Sequence, residues 1–298
     1  MPRFVLALLA AALPLTALAE TRSVALVVTD AQGAFVPDIR SDEVQVVENG
    51  EPRELVSFGK DERPLAVALV LDTSTGAADV FRGQAYDAVG GFLARLPAGS
   101  ACTLWATGDH PRKIGVLDGG AQQVEKKIAQ GFSSDGPNAL LDTLAEAAES
   151  LGRESGRRRA LVAVSGAGAG HTSFSPSDVS SRVRRQGARV LGLMYREGGD
   201  GGAGSLSGLA VPRDVANLTI VGPADHERIL SGLAQGTGGR FESVPTVMGV
   251  GRILESLAAE LGGQYRVRFD ASSAKGPKRI DVRLARPGVH SRVTVDAP

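Results

Sequence analysis

The spacing of apolar residues divides the chain into three zones. From Ser23 to about Phe58, apolar positions form short runs or alternate with polar ones, in Ser23-Val24-Ala25-Leu26-Val27-Val28, Glu43-Val44-Gln45-Val46-Val47 and Glu54-Leu55-Val56-Ser57-Phe58. These read as strands. Asn49-Gly50, between the last two, is a hairpin signal, because both residues tolerate the positive φ of a tight two-residue turn. From Pro64 to about Gly263 the period changes. Unbroken apolar runs at 65–71, 101–106, 160–165 and 188–194, with a weaker one at 240–242, predict buried strands. Between and after them, Leu140, Leu141, Leu144, Ala148 and Leu151 share one helical stripe, as do Val247, Val250, Ile253, Leu254, Leu257 and Leu261. Gly187 and Gly236 fall where helices should stop. After Gly263, three alternating segments at 264–269, 279–284 and 291–295 predict strands with one wet face.

Strands alternating with helices imply a doubly wound α/β unit, a mostly parallel sheet with helices on both faces. Three strands before it and three after it are each too few to cover a core. The expected solution is one six-stranded β-sandwich built from both ends, with the α/β unit inserted. The boundaries read 20–62 for the N-terminal part of the sandwich, 63–263 for the α/β unit and 264–298 for the C-terminal part.

The first nineteen residues carry the pattern of a cleavable signal peptide. Arg3 precedes a short apolar run, and Ala17-Leu18-Ala19 supplies a small-x-small cleavage site. No Cys stands there to take a lipid, and no later segment is long enough to span a bilayer. A secreted or periplasmic location is expected. Lys+Arg and Asp+Glu both number 33 and aromatics make up only 4%, which argues against nucleic acid as a partner. Cys102 is the only cysteine, so no internal disulfide forms, and its apolar neighbours predict a buried thiol.

The most informative local feature is the end of the first buried run, Leu71-Asp72-Thr73-Ser74-Thr75-Gly76. An acid and a hydroxyl two residues apart at the carboxyl end of a parallel strand can hold a hard cation, or can cap the helix that follows. Other constellations are weaker. Ser165-Gly166-Ala167-Gly168-Ala169-Gly170 has His171 where a dinucleotide loop needs its third glycine. His110, His171, His226 and His290 lack metal-ligand spacing. Arg157-Arg158-Arg159 reads as a solvated corner, and Asp142 as a fallback ligand one turn beyond Asn138. The stretch from Glu197 to Gly208 is too glycine-rich to predict an element.

In order and spacing these segments resemble the von Willebrand factor type A family, in the form found in exported bacterial proteins. The resemblance rests on Val24 to Gly33, Val47-Glu48-Asn49-Gly50-Glu51-Pro52, Leu71-Asp72-Thr73-Ser74, Leu233 to Phe241 and Gly263-Gln264-Tyr265-Arg266-Val267, and it covers about residues 22–296. It implies a metal-ion-dependent adhesion site: Asp-x-Ser-x-Ser after the first strand, a Thr before a middle helix and an Asp after the fourth strand. This chain keeps Asp72 and Ser74 but has Gly76, Asn138 and Gly166 at the other three positions.

With one carboxylate, one hydroxyl and one amide remaining, Mg²⁺ or Ca²⁺ would be held weakly by Asp72, Ser74 and Asn138. The expected function is a non-enzymatic, adhesion-type protein-binding module. Its contacts would come from loops containing Asp72, Thr73, Ser74, Asn138, Ser165 and Gly166, with the metal site degenerate. The alternatives are a binder that retains the cation, and an extracytoplasmic hydrolase assembled from residues such as Asp72, Asp109 and His171.

Overall fold

The computed structural model describes residues 20–133, 136–196, 218–272 and 279–295; the expected signal peptide and the Glu197–Gly208 stretch lie outside them. The central sheet contains β5 (Leu65–Leu71), β6 (Ala101–Ala106), β7 (Arg112–Val116), β8 (Arg158–Gly166), β10 (Arg189–Tyr195) and β12 (Arg240–Val244). Their order is β12-β10-β8-β5-β6-β7, parallel except for the β7 edge. Every residue of β5 and β10 is buried, as uninterrupted apolar runs require.

Helices cover both faces. On one side α1 (Thr75–Ala94), α2 (Ala121–Gly131) and α6 (Val250–Gly262) bury Phe81, Phe92, Ile128 and Leu254. On the other, α3 (Leu140–Gly152), α4 (Pro176–Arg185) and α5 (Pro223–Gly236) bury Leu144, Val183 and Leu230. From β5 the chain winds first toward β6 and then back to β8 on the other side. The carboxyl ends of β5 and β8 therefore flank the topological switch point, where open α/β sheets bind ligands.

The sandwich comes from both ends, but with seven strands rather than six. One sheet has the order β15-β1-β13-β4, from β15 (Val289–Val295), β1 (Glu20–Asp30), β13 (Tyr265–Ala271) and β4 (Leu55–Lys60). The other is β14-β2-β3, from β14 (Ile280–Leu284), β2 (Val44–Glu48) and β3 (Glu51–Arg53). The extra strand arises at Asn49 (φ 53) and Gly50 (φ 89), which turn β2 into β3 before the chain crosses to the first sheet as β4. Val24, Leu26, Val46, Val267, Phe269 and Val282 form the core between the two sheets.

Two buried charge clusters join the sandwich to the α/β unit. Arg158 is 6% exposed, so the middle residue of the basic triplet is not a solvated corner. It donates to the carbonyls of Arg63 (2.9 Å) and Leu261 (2.8 Å) and to Gln264 Oε1 (3.0 Å), clamping the two connecting segments together. Glu260, 2% exposed on α6, meets Arg189, Arg240 and Arg292, the last from the sandwich strand β15. Burial would raise the Glu260 pKa, but the three guanidinium groups outweigh it and hold it below the ordinary value. One glycine of the matching motifs serves this junction, and another packs within the α/β unit. A Cβ on Gly263 would lie 2.3 Å from the Phe35 ring, and one on Gly239 would lie 1.7 Å from the Val190 carbonyl oxygen. Among the described residues, no helix is long and apolar enough to cross a membrane.

Candidate functional site

Asp72 follows the last residue of β5 and is 1% exposed. Both oxygens of its carboxylate are taken by donors from the chain itself. Oδ1 accepts from Ser74 N (3.1 Å) and Ser74 Oγ (2.6 Å), with Thr107 Oγ1 at 3.5 Å. Oδ2 accepts from Asn138 Nδ2 (2.7 Å), Ser165 Oγ (3.0 Å) and Gly166 N (3.0 Å). Asn138 Nδ2 also reaches Ser165 Oγ at 3.2 Å. The orientation of that amide follows from chemistry, since turning it over would set its oxygen against a carboxylate oxygen. Asn138 Oδ1 is left buried without a hydrogen-bond partner.

The backbone around the site is locked in the same way. Asp72 N donates to Val164 O (2.8 Å), Thr73 N to Thr107 Oγ1 (3.1 Å), Thr75 N to Gly136 O (3.1 Å) and Ala139 N to Gly108 O (2.9 Å). The Asn138 carbonyl accepts from His171 N (3.0 Å), a contact so close that a Cβ on Gly170 would stand 2.0 Å from it. Ser74 occupies the N-cap of α1, yet its side chain makes no capping bond because its hydroxyl is turned to Asp72. Asn138 does not cap α3 either, which begins at Leu140 behind Ala139.

The structure thus brings Asp72, Ser74, Asn138, Ser165 and Gly166 into one network, with Thr73 beside it. It also buries all six. Among the described residues, the most exposed at this rim are Thr75, Gly76, Asp109, His110 and Gly168. The short antiparallel pair β9 (Gly170–Thr172) and β11 (Thr219–Val221) continues the rim and has no apolar pattern to announce it.

Asp142 is not a free ligand. Its carboxylate accepts from Thr172 Oγ1 and from Ser173 N (3.0 Å), tying α3 to the end of β9. Asp72, Asp109 and His171 do not form a catalytic set: His171 Nε2 meets the Asp109 backbone carbonyl at 3.0 Å, while the Asp109 carboxylate pairs with His110 Nδ1 at 2.7 Å. Sequence reasoning missed His226 on α5, which is fully buried with Nδ1 3.3 Å from Gly168 O. Burial lowers its pKa, and the Asp72 charge partly offsets that. A lone histidine following Gly222-Pro223 gives no periodic signal of such a position.

A hard divalent cation needs oxygens whose lone pairs face it, and those of Asp72 face N–H and O–H groups instead. Gly76 and Gly166 contribute no side chain, and a side chain at Gly166 would begin 3.2 Å from the Tyr195 hydroxyl. Among the described residues, no group of three or more His, Cys, Asp or Glu is placed to hold a metal ion.

Strand order, the antiparallel edge and the rim at the switch point define an open α/β domain of the arrangement implied by the resemblance to the von Willebrand factor type A family. Solved structures similar to the chain include a von Willebrand factor type A protein from Catenulispora acidiphila, at 10% identity and a TM-score of 0.48, covering 94% of this chain and 75% of that one. Proximal thread matrix protein 1 from the mussel byssus is similar at 13% identity and a TM-score of 0.49, over 76% of this chain. The match spans only 50% of the mussel protein, one structure of which has a zinc-occupied MIDAS motif. BatB from Bacteroides thetaiotaomicron is similar at 13% identity and a TM-score of 0.44, over 66% of this chain and 98% of that one. No protein-family model matches the sequence, and comparison with curated proteins gives no match. At such identities no residue role passes from these proteins to this chain.

Proposed function

We propose that the chain is an exported, non-enzymatic protein-binding module that docks a partner on the loop rim at the carboxyl end of its central sheet, without a bridging cation. The observation that supports this most is the use of the Asp72 carboxylate by Ser74, Asn138, Ser165 and Gly166. A carboxylate so committed braces the rim loops against each other and presents a preorganised surface. Thr75, Gly76, Asp109, His110 and Gly168 are the groups a partner would touch. Export rests on the N-terminal signal pattern.

Two measurements test the reading. Calorimetry with Mg²⁺ and with Ca²⁺ should give no binding heat, and saturable heat abolished in Asp72→Ala would establish the cation-dependent alternative. The second uses Gly76→Arg and Gly168→Arg, whose added side chains enter open space. Immobilised wild-type chain should retain a defined extracytoplasmic protein that both variants lose. Equal retention by the variants would remove the rim as the docking surface.

A further inference from the structure

We propose that Met248 is a reversible oxidation site, whose thioether takes one oxygen atom from a hydroperoxide to give a sulfoxide of one handedness, set by Gln84. Met248 is 76% exposed, more than any other large apolar side chain among the described residues. A loose backbone does not account for this. The residue sits in a single 3₁₀ turn, Val247–Gly249, between β12 and α6. Val247 and Val250 on either side are buried, and Gly249 N closes the turn on Thr246 O at 3.2 Å. The backbone is pinned while the side chain stands in solvent, so no core packing is lost when that side chain becomes polar. Among the described residues the other sulfur atoms are shielded, Met194 at 0% exposed in β10 and Cys102 at 2% in β6.

One contact orients the sulfur. Gln84 Nε2 on α1 donates to it at 3.2 Å. A thioether only accepts, so the amide must present its nitrogen. This bond engages one of the two sulfur lone pairs and leaves the other, directed away from Gln84, as the nucleophile. That pair attacks the terminal oxygen of the hydroperoxide and the O–O bond breaks. The departing oxygen keeps the bonding electrons and takes the proton from the transferred one. Sulfur loses two electrons, and the peroxide is reduced to water or an alcohol. Oxygen delivered to one fixed lone pair gives one of the two sulfoxide epimers in excess. The reaction is independent of what the rim loops bind.

Hydrogen peroxide acting on the folded full chain, followed by tryptic peptide mapping, tests the proposal. Arg189, Arg196, Arg240 and Arg252 place Met194 and Met248 on separate peptides. The Met248 sulfoxide should form at least about tenfold faster than that of Met194, and the two rates should converge in denaturant. Methionine sulfoxide reductases A and B each act on one epimer, so one of them alone should restore most of the Met248 thioether. Gln84→Glu keeps the side chain's length but removes the donor, and should give the two epimers in nearly equal amounts. Gln84→Ala should do the same, and continued slow oxidation of Met194 shows either variant to be folded. Equal rates at the two methionines of the folded chain would overturn the site. Equal repair of wild type by both reductases, or an epimer excess that persists in the Gln84 variants, would overturn the part assigned to Gln84.

Discussion

The side-chain amide of Asn138 donates to Asp72 Oδ2 across 2.7 Å and to Ser165 Oγ across 3.2 Å, so one neutral group satisfies two oxygens from two different strand ends. Removing it leaves a buried carboxylate with fewer donors and opens a void above β5. Asn138→Ala should therefore cost about 2–3 kcal/mol in urea unfolding, the usual penalty for stripping a buried polar partner. A loss below about 0.5 kcal/mol would mean that Ser165 and Gly166 suffice alone.

The same relationship predicts how a cation could be admitted. Asn138→Thr combined with Gly166→Asp withdraws the amide and places a second carboxylate near the first. Two like charges then oppose each other unless an ion lies between them. The melting temperature of that double variant should rise with added Mg²⁺, whereas that of the wild type should not. The Tyr195 hydroxyl, 3.2 Å from a Cβ at Gly166, would need to move by a few tenths of an ångström. A melting curve indifferent to Mg²⁺ would show that changing these two positions does not suffice to admit a cation.

Glycines in this chain should respond to the same substitution with opposite signs. Gly90→Ala on α1 meets nothing within 4 Å and should stabilise the fold by about 0.5–1 kcal/mol. Gly239→Ala would place a methyl group 1.7 Å from a backbone oxygen, which cannot rotate away. It should cost at least about 1–3 kcal/mol, the range for overpacking a filled site. Thermal unfolding of both variants beside wild type decides it.

Acid should weaken the junction between sandwich and α/β unit through Glu260. Its pKa is depressed in the fold, so the folded protein binds fewer protons there than the unfolded chain does. Stability from this group is complete above the unfolded value of about 4.3 and is lost as pH falls below it toward the lower folded value. Glu260→Gln should lose about 3–5 kcal/mol at neutral pH, because the buried Arg189 loses its carboxylate partner and Arg292 loses its own, while Arg240 keeps Glu242. Its stability should also fall less steeply than wild type below about pH 4.3. Parallel slopes would assign the acid sensitivity to other carboxylates.

The Cys102 thiol, buried in β6 with its pKa pushed up to about 12, should resist thiol reagents until the protein unfolds. Labelling at neutral pH with and without denaturant measures this. Fast labelling of the folded chain would contradict the burial.

What could be read in advance follows from the range of each interaction. β5 was legible because a strand covered on both faces must be apolar throughout, and the acid that ends it marks the rim by position alone. The Asn49-Gly50 turn was legible because backbone sterics are local. Arg158 was not, since its burial depends on carbonyls from Arg63 and Leu261, about a hundred positions away in either direction. β3, β9 and β11 are three residues each, too short for any period to show. The commitment of Ser74 and Asn138 to Asp72 was likewise hidden. Local patterns offered caps or ligands, and only the spatial meeting of two strand ends selects a closed network.

β1 lies between β13 and β15, so the first described strand is zipped on both sides by segments made more than two hundred residues later. Until β13 and β15 have been made and paired, Val24, Leu26 and Val28 lack both of their sheet neighbours. Closure of this sandwich is then a late and slow event in the life of each molecule, governed by loop-closure entropy. A helper that shields these β-prone segments during that wait should raise the yield of finished protein.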